Sequence, residues 1–417
     1  MNRTLLAAAV FSLFPVALMA QDCSISFVNP DFGFRSEPDL VYGEALAYNG
    51  DPVELALTLF KPVGDGQLER PLAILLHGGW FENGERQDMY GMCETLAKAG
   101  WAAAAVSYRQ QFYSDGVHAM PWAYDSAEVG RTIYRAMQDV KGAVRFLKGR
   151  HGLDSTSTGN IILVGFTAGA FAGLEAAYLT EAGQKPGYCG AINDVVLNAV
   201  NHPRPDLGPV EGDLNLGGFD ASVLGVVSFM GAITEKAWIT DGGPALYLYH
   251  QTGDPMVACD RQRPYWAINL SIANHYPLMD GSCSIDAHAQ GLSFPTGSYA
   301  FNSYSGSAHI LHDPMAVFLD AVSWGRNLFC PMTVGLAQPE EVHAPVVFPN
   351  PTSGLLQVDP PLVGTVPYTV RDAMGRTVQV GQVTGNTMDL GALPDGVYWL
   401  HNGSGAPLQG QRVVIAH

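Results

Sequence analysis

The chain has 417 residues, of which 47% are hydrophobic and 15% are charged, with 22 basic against 39 acidic side chains. This composition excludes a disordered chain and provides enough apolar material for a large core and a smaller second domain. The net charge of −17, without a basic cluster, makes nucleic acids and anionic membranes poor partners.

Residues 1–20 have the pattern of a secretory signal peptide. Arg3 precedes an apolar run, and the small residues Ala17 and Ala20 close the segment. The alternative is a membrane anchor, which Pro15 and the shortness of the run disfavour. We therefore expect export through the periplasm and no transmembrane segment in the mature chain.

All six cysteines follow this segment, and their even number suits an oxidising compartment. Up to three disulfides are expected, with fifteen possible pairings. We expect Cys259 to pair with Cys283, and Cys23 with Cys330, which would tie together the ends of one domain. No two cysteines have the spacing of a metal-binding finger, so we expect no metal site and no cofactor.

The middle of the chain alternates short apolar runs with helical stretches. After an antiparallel entry between Cys23 and Pro71, the predicted strands include PLAILL, WAAAAVSY, NIILV, SVLGVVSF, PALYLYH and GSYAFNSY. Amphipathic stretches such as RAMQDVKGAVRFLKGR lie between them. This alternation predicts an α/β fold over residues 21–335, with a mostly parallel, doubly wound sheet and helices on both faces.

Two long insertions, Gln110–Ala127 and Tyr188–Phe219, interrupt this alternation and are predicted to be loops. Long loops in a folded domain are usually functional or mobile. The aromatic residues of the first insertion are candidates for the wall of a substrate pocket, with surface packing as the alternative: Phe112, Tyr113, Trp122 and Tyr124.

The segment NIILVGFTAGA, residues 160–170, predicts a strand, a sharp turn and a helix. The Gly-x-nucleophile-x-Gly pattern is that of a nucleophile elbow, in which a Cβ at Gly165 or Gly169 would collide with the neighbouring strand and helix. The apex residue is Thr167, where serine is usual.

A second motif, HGGW at residues 77–80, follows the strand LAILL. Together with the elbow, it makes residues 71–330 resemble the esterase and lipase-like α/β-hydrolases that have a His-Gly-Gly oxyanion motif. The resemblance implies that the backbone N–H groups of Gly78, Gly79 and Ala168 stabilise an oxyanion. Trp80 and Phe166, next to the two motifs, are candidate substrate-binding residues, as is Trp122 in the first insertion.

The resemblance also implies an acid and a base after the elbow. Asp254 follows the strand PALYLYH, with a structural turn before Pro255 as the alternative interpretation. His309 lies in a loop before the last helix, and His312 is its rival. The order Thr167, Asp254, His309 is the order that this fold uses.

Threonine at the apex leaves two hypotheses open. In the first, the chain is a secreted carboxylic-ester hydrolase with a Thr-His-Asp triad, acting on a small or polysaccharide-linked ester. In the second, it is a catalytically inactive binding protein, because a β-branched residue at a strained apex has restricted rotamers and a methyl group near the attack path. Amide hydrolysis is a third, weaker option, since the same triad also serves amides.

The end of the chain differs in kind. Residues 336–344 are predicted to be a linker, and residues 345–417 form short alternating runs that predict a small β-sandwich. The segments FPNPTSG, RDAMGR and LPDGVY resemble the C-terminal sorting domain of the type IX secretion system. This implies the secretion machinery as a partner and a secreted or cell-surface location. An accessory carbohydrate-binding sandwich is the alternative.

Overall fold

Short, fully buried strands form the centre of the structure, as expected where helices cover both faces of a sheet. The computed structural model describes residues 22–331, 346–402 and 411–417, without the side chains of residues 360–364 and 402. The predicted signal peptide and linker, residues 1–20 and 336–344, lie outside the described residues. The chain divides into two units, Met1–Pro331 and Met332–His417.

The first unit contains a large sheet and two small ones. Its strands are β1 (Gly33–Leu46), β2 (Pro52–Val63), β3 (Arg70–Leu76), β4 (Ala102–Val106), β5 (Thr156–Phe166), β6 (Ile192–Leu197), β7 (Val200–Arg204), β8 (Gly225–Phe229), β9 (Ala232–Ile233), β10 (Ala245–Gln251), β11 (Arg261–Gln262), β12 (Met279–Gly281) and β13 (Tyr299–Tyr304).

The main sheet has eight strands in the order β1-β2-β4-β3-β5-β8-β10-β13. Strand β2 runs antiparallel to β1 and β4, and all pairs from β4 to β13 are parallel. The predicted doubly wound, mostly parallel sheet with an antiparallel entry is therefore confirmed, and it is the sheet of an α/β-hydrolase fold. The carboxyl ends of β3, β5 and β10 lie on one edge of this sheet.

The helices cover both faces of the main sheet. They are α1 (Tyr90–Lys98), α2 (Ser126–Gly149), α3 (His151–Asp154), α4 (Ala168–Tyr178), α5 (Leu270–Ala273), α6 (Ser282–Ala289) and α7 (Pro314–Phe329). Helices α2 and α4 pack into one core, and α1 and α7 into the other. Among the described residues, no helix combines the length and the apolar character needed to cross a membrane.

Strand β3 shows how one sheet separates two cores. Leu72, Ile74 and Leu76 are buried on the side of α2 and α4, whereas Ala73 and Leu75 are buried on the side of α1 and α7. This alternation follows from the two-residue period of a strand. Both faces are apolar because both are covered, so the strand reads as a continuous apolar run.

The second insertion is not only loop. Strands β6 and β7 form an antiparallel hairpin within it, and the residues between them, Asn198 and Ala199, have φ of 50° and 62°. A tight hairpin turn requires this left-handed conformation, for which asparagine is a favoured residue. The first insertion is loop, with one bridge between Ser114 and Ala123.

Both expected disulfides are present. Cys23 pairs with Cys330, and Cys259 with Cys283. The other two cysteines cannot form a third bridge, since Cys93 is buried in the core next to α1 and Cys189 in the core on the opposite face of the sheet.

The second unit is a small antiparallel fold, as the predicted sandwich requires. Its strands are β14 (Val346–Phe348), β15 (Leu355–Arg371), β16 (Thr377–Asp389), β17 (Gly396–Asn402) and β18 (Gln411–Ile415). Strand β15 pairs with β14, β16 and β17, and β17 pairs with β18. Alternate residues such as Tyr398 with Leu400, and Val413 with Ile415, face its own apolar core.

We expect Gly169→Ala to destabilise the first unit. A Cβ built on Gly169 would lie 2.3 Å from the backbone oxygen of Leu76, which the sheet holds in place. The loss should be about 1–3 kcal/mol of unfolding free energy, as for other overpacked sites, measured by urea denaturation. Gly183→Ala is the matched control, because no atom lies within 4 Å of its added Cβ. Equal stability of the two variants would contradict this packing argument.

Candidate active site

The turn at Thr167 joins the end of β5 to the start of α4. Thr167 has φ of 46° and ψ of −112°, and its N–H donates a hydrogen bond of 2.9 Å to the carbonyl of Phe229. Positive φ is unusual for a β-branched residue and persists only where the surrounding structure imposes it. The elbow predicted from the sequence is therefore present in its strained form.

The glycines on either side of Thr167 leave no room for side chains. A Cβ on Gly165 would lie 2.4 Å from Ala170 Cα, and a Cβ on Gly169 would lie 2.5 Å from the oxygen of His77. The packing that the sequence pattern predicts thus involves both the helix of the elbow and the loop after β3.

The loop after β3 bends sharply at Gly79. Its φ is +114°, and a Cβ there would lie 1.7 Å from the oxygen of Asn83. His77 Nδ1 is 2.7 Å from the carbonyl oxygen of Gly78, and burial lowers the pKa of His77, so the neutral ring donates Nδ1–H to this carbonyl. Because a trans peptide is planar, the N–H of Gly79 then points to the opposite side.

The three N–H groups expected in the oxyanion hole have no acceptor within the described residues. No hydrogen bond there is donated by the backbone N–H of Gly78, Gly79 or Ala168. Ala168 begins α4, and the first N–H groups of a helix lack intrahelical partners and lie at its positive end. These groups are therefore free to donate hydrogen bonds to an anionic oxygen.

The extra methyl group of Thr167 lies against this loop. A Cβ built on Gly78 would be 2.3 Å from Thr167 Cγ2, so the methyl group occupies the space that the absent side chain of Gly78 leaves. A serine at the apex would leave this space empty. The methyl group is thus accommodated, but next to the proposed oxyanion donors.

Asp254 follows β10 and is fully buried. Its Oδ1 accepts the N–H groups of Met256 at 2.9 Å and Val257 at 3.1 Å, and its Oδ2 lies 2.6 Å from His309 Nδ1. Burial alone would raise the pKa of Asp254, but hydrogen bonds from His250 and His309 outweigh it and lower the pKa to about 2. Asp254 is therefore ionised at neutral pH.

His250 is a neighbour of Asp254 that the sequence analysis did not identify. It is fully buried, and its Nε2 lies 2.9 Å from the carbonyl of Val257 and 3.5 Å from Asp254 Oδ2. A carbonyl only accepts, so Nε2 carries a proton, and Nδ1 accepts from Ser282 Oγ at 2.8 Å. The short spacing of four residues between His250 and Asp254 in the sequence could have indicated that these two side chains are neighbours.

His309 is oriented by Asp254. The ionised carboxylate fixes the proton of the neutral imidazole on Nδ1, which leaves the lone pair on Nε2. In the described part of the chain, His309 Nε2 and Thr167 Oγ1 are both buried atoms without a hydrogen-bond partner. The ring of Trp80 packs 4.8 Å from that of His309.

His312, the rival base, has other contacts. Its Nδ1 lies 2.9 Å from the hydroxyl of Tyr249, and its ring stacks on Tyr304 at 4.1 Å. The structure therefore brings His309, and not His312, to the carboxylate of Asp254.

A narrow apolar cavity adjoins the apex of the elbow. It has a volume of about 20 Å³, and its wall includes Trp80, Phe81, Thr167, Ala168 and Phe171. This is room for about one or two water molecules. A group that fills this cavity in the present conformation must therefore be small.

Two of the three predicted substrate-binding residues lie elsewhere. Phe166 is buried in the core on the side of α1 and α7, with its ring 4.7 Å from that of Phe229, and it does not line the cavity. Trp122 stacks on His118 at 4.4 Å and is also absent from the cavity wall. Trp80 does line it. In residues 22–331, 346–402 and 411–417, no three His, Cys, Asp or Glu side chains are grouped to hold a metal ion.

The second unit can be compared with a known domain family. The family of the secretion system C-terminal sorting domain matches residues 346–416. Residues 346–416 are a type IX sorting domain. The chain therefore has the signal of proteins that this system delivers to the cell surface or the medium. No curated protein matches the sequence.

Solved structures of esterases resemble this chain at low identity. A truncated carbohydrate esterase from gut microbiota is 13% identical, with a TM-score of 0.44, over 72% of this chain and 98% of that chain. Apo esterase 2 of Thermogutta terrifontis is 17% identical, with a TM-score of 0.41, over 70% and 92%. A bifunctional GH43-CE protein of Bacteroides eggerthii is 15% identical, with a TM-score of 0.42, over 70% and 35%.

The buried charge of Asp254 predicts a pH-dependent contribution to stability. The pKa of Asp254 is lowered from 3.8 to about 2 on folding, so its stabilisation is complete above the unfolded pKa and is lost as the pH falls through the folded pKa. The free-energy difference between wild type and Asp254→Asn should shrink by about 2 kcal/mol between about pH 5 and pH 2.

Urea denaturation followed by fluorescence at each pH measures this difference. Asp260→Asn, which changes an exposed carboxylate six residues after Asp254, is the control. Its free-energy difference from wild type should change much less with pH. A difference for Asp254→Asn that stays constant with pH would contradict the assignment of its hydrogen bonds.

Proposed function

We propose that this protein is a secreted carboxylic-ester hydrolase that uses Thr167, Asp254 and His309 as its triad. The observation that carries the proposal is the tautomer that Asp254 imposes on His309, which leaves Nε2 as an unpartnered base. Thr167 Oγ1, the proposed nucleophile, is likewise buried without a partner among the described residues. Neither atom is engaged by another group, but they do not hydrogen-bond each other in this structure. Proton abstraction therefore requires them to approach to hydrogen-bond distance when a substrate binds.

In the proposed mechanism, His309 Nε2 takes the proton of Thr167 Oγ1 as this oxygen attacks an ester carbonyl. The carbonyl oxygen becomes an oxyanion, to which the N–H groups of Gly79 and Ala168 donate hydrogen bonds. His309 then gives its proton to the leaving alcohol, and an acyl-threonine remains. Water, deprotonated by His309, hydrolyses this acyl-enzyme.

The small cavity supports a short acyl group, such as acetyl, as the acid part of the ester. Its wall is apolar at Trp80, Phe81 and Phe171, so it suits a methyl group better than a charged one. The alcohol part would lie outside this cavity. A polysaccharide-linked or a small soluble alcohol both fit this proposal, and the sorting domain supports an extracellular substrate.

The second candidate is a catalytically inactive binding protein with the same fold. The position of the Thr167 methyl group against Gly78 favours it, because that group stands beside the proposed oxyanion donors. Misplacement of reacting atoms by about 1 Å can lower a rate about a hundredfold. We rank it second because Asp254 and His309 retain a functional arrangement.

Substitution of the two histidines tests the assignment of the base. We expect His309→Ala to lower kcat/KM for p-nitrophenyl acetate by at least about a thousandfold, since it removes the proton acceptor. His312→Ala, the matched control, removes a ring that contacts Tyr249 and Tyr304, and should change kcat/KM by less than about tenfold. The reverse result would assign the role to His312.

Substitution of Thr167 separates the two candidate functions. Labelling by a fluorophosphonate probe should occur in the wild type and disappear in Thr167→Ala. Thr167→Ser should raise kcat/KM by about 10- to 100-fold, because it removes the methyl group beside Gly78. A wild type that is not labelled, together with a labelled Thr167→Ser, would show that the fold retains the site but not the native activity.

A further inference from the structure

A second and larger cavity lies on the other side of α2. Its volume is about 690 Å³, within the range of small-molecule sites. Helix α2 contributes Val129 and Ile133 to the cavity at Thr167, but Arg131, Arg135 and Gln138 to the larger one. Residues at these spacings lie on opposite faces of a helix. The two cavities share no lining residue and are separate sites.

Four arginines line the larger cavity, and we call it the arginine cavity, after Arg109, Arg131, Arg135 and Arg204. Four carboxylates also line it: Glu44, Asp139, Asp206 and Asp213. Three of these side chains have evident structural partners. Arg109 Nη2 pairs with Asp139 at 2.7 Å, and Arg204 Nη1 pairs with Asp125 at 2.8 Å.

Arg131 also has a structural role. Its Nη1 donates to the carbonyls of Tyr188 and Gly190, at 2.9 and 2.8 Å, and so holds the second insertion against α2. Carbonyl oxygens solvate this guanidinium without neutralising its charge. Arg131 therefore contributes a positive charge to the wall of the arginine cavity.

Arg135 lacks such compensation. It is 4% exposed, and its hydrogen bond within the described residues runs from Nη1 to Thr132 Oγ1 at 3.1 Å, with no carboxylate within 4 Å. Glu128 and Asp139 attract it electrostatically, but neither forms an ion pair with it: the carboxylate of Glu128 is 3.5 Å from Arg204, and that of Asp139 is 2.7 Å from Arg109. Burial lowers the pKa of Arg135 to about 10, so the side chain still carries its charge at neutral pH.

A buried cation without an ion-pair partner is unfavourable unless an anion compensates it. The planar guanidinium has five N–H donors in a fork that matches two oxygens of a carboxylate or phosphate group. Next to it, Tyr113 contacts the rings of Tyr48, at 4.9 Å, and His202, at 4.7 Å. These three rings provide an aromatic wall for the carbon skeleton of a ligand.

We propose that the arginine cavity binds a small organic anion, about the size of a sugar acid or sugar phosphate, whose oxygens accept hydrogen bonds from Arg135. The ligand's oxyanion would lie against Arg135 and its ring against Tyr48 and Tyr113. This site is independent of the proposed hydrolase reaction, since none of its residues belongs to the triad or the oxyanion loop.

Isothermal titration of the full chain with glucuronate, glucose 6-phosphate and glucose tests the proposal. These probes share a sugar ring and differ in their anionic group. At least one of the two anions should bind, and glucose should bind at least about tenfold more weakly. Binding of one anion alone identifies carboxylate or phosphate as the group recognised. Failure of both anions to bind, or equal binding of glucose, would overturn the proposal.

Two variants locate the site. Arg135→Gln should weaken binding of the anion by at least about 30-fold, as when one partner of a buried charge pair is removed. Arg35→Gln, at an exposed arginine of β1, is the matched control and should change the affinity by less than about twofold. Unchanged affinity in Arg135→Gln would overturn the assignment.

Arg135→Lys covers the case in which Arg135→Gln does not fold. Lysine keeps the positive charge but lacks the paired N–H donors of the guanidinium. If both variants fold, we expect the affinity of Arg135→Lys for the anion to lie between those of wild type and Arg135→Gln; if only Arg135→Lys folds, its affinity should be at least about threefold weaker than that of wild type. Thermal unfolding monitored by circular dichroism shows which variants are folded. An affinity equal to that of the wild type would contradict the role of Arg135.

Discussion

The left-handed backbone at Thr167 is the constraint on which the candidate site depends. A conformation of this kind costs about 1–3 kcal/mol for a residue with a Cβ, and here the N–H of Thr167 is tied to Phe229 while Gly165 and Gly169 allow strand and helix to close around it. The same turn places Thr167 directly after the carboxyl end of β5 and the N–H of Ala168 at the start of α4. The turn that strains the backbone of Thr167 is thus the same turn that positions the proposed nucleophile and one proposed oxyanion donor.

The carboxylate of Asp254 is the most firmly held part of the site. Two backbone N–H groups and two histidines surround it, so its position is set by the end of β10 and the turn that follows. His309 depends on Asp254 for its hydrogen bond and on the ring of Trp80 for packing. The sheet therefore fixes the position of the Asp254 carboxylate, and the carboxylate in turn fixes the orientation of the His309 ring.

The sequence predicted the parts of this site that local motifs encode. The elbow, the glycine loop, Asp254 and His309 each follow a strand, and parallel strands bring their carboxyl ends to one edge of the sheet. Phe166 adjoins Thr167 in sequence, but the two-residue period of β5 places its side chain with Ile162 and Val164 on the other face of the sheet. The environment of Arg135 could not be predicted, since it depends on how two insertions pack on α2.

The contact between Gly78 and Thr167 constrains how this site can change. A Cβ on Gly78 meets Thr167 Cγ2 at 2.3 Å, but its other neighbours, Phe166 O and Thr167 Cβ, lie at ordinary distances of 3.4 and 3.7 Å. Alanine at position 78 is therefore compatible with serine at the elbow and incompatible with threonine. The two positions are coupled, and the order of substitution matters: a lineage that acquires threonine first must retain glycine in the loop, whereas one with serine is free to lose it.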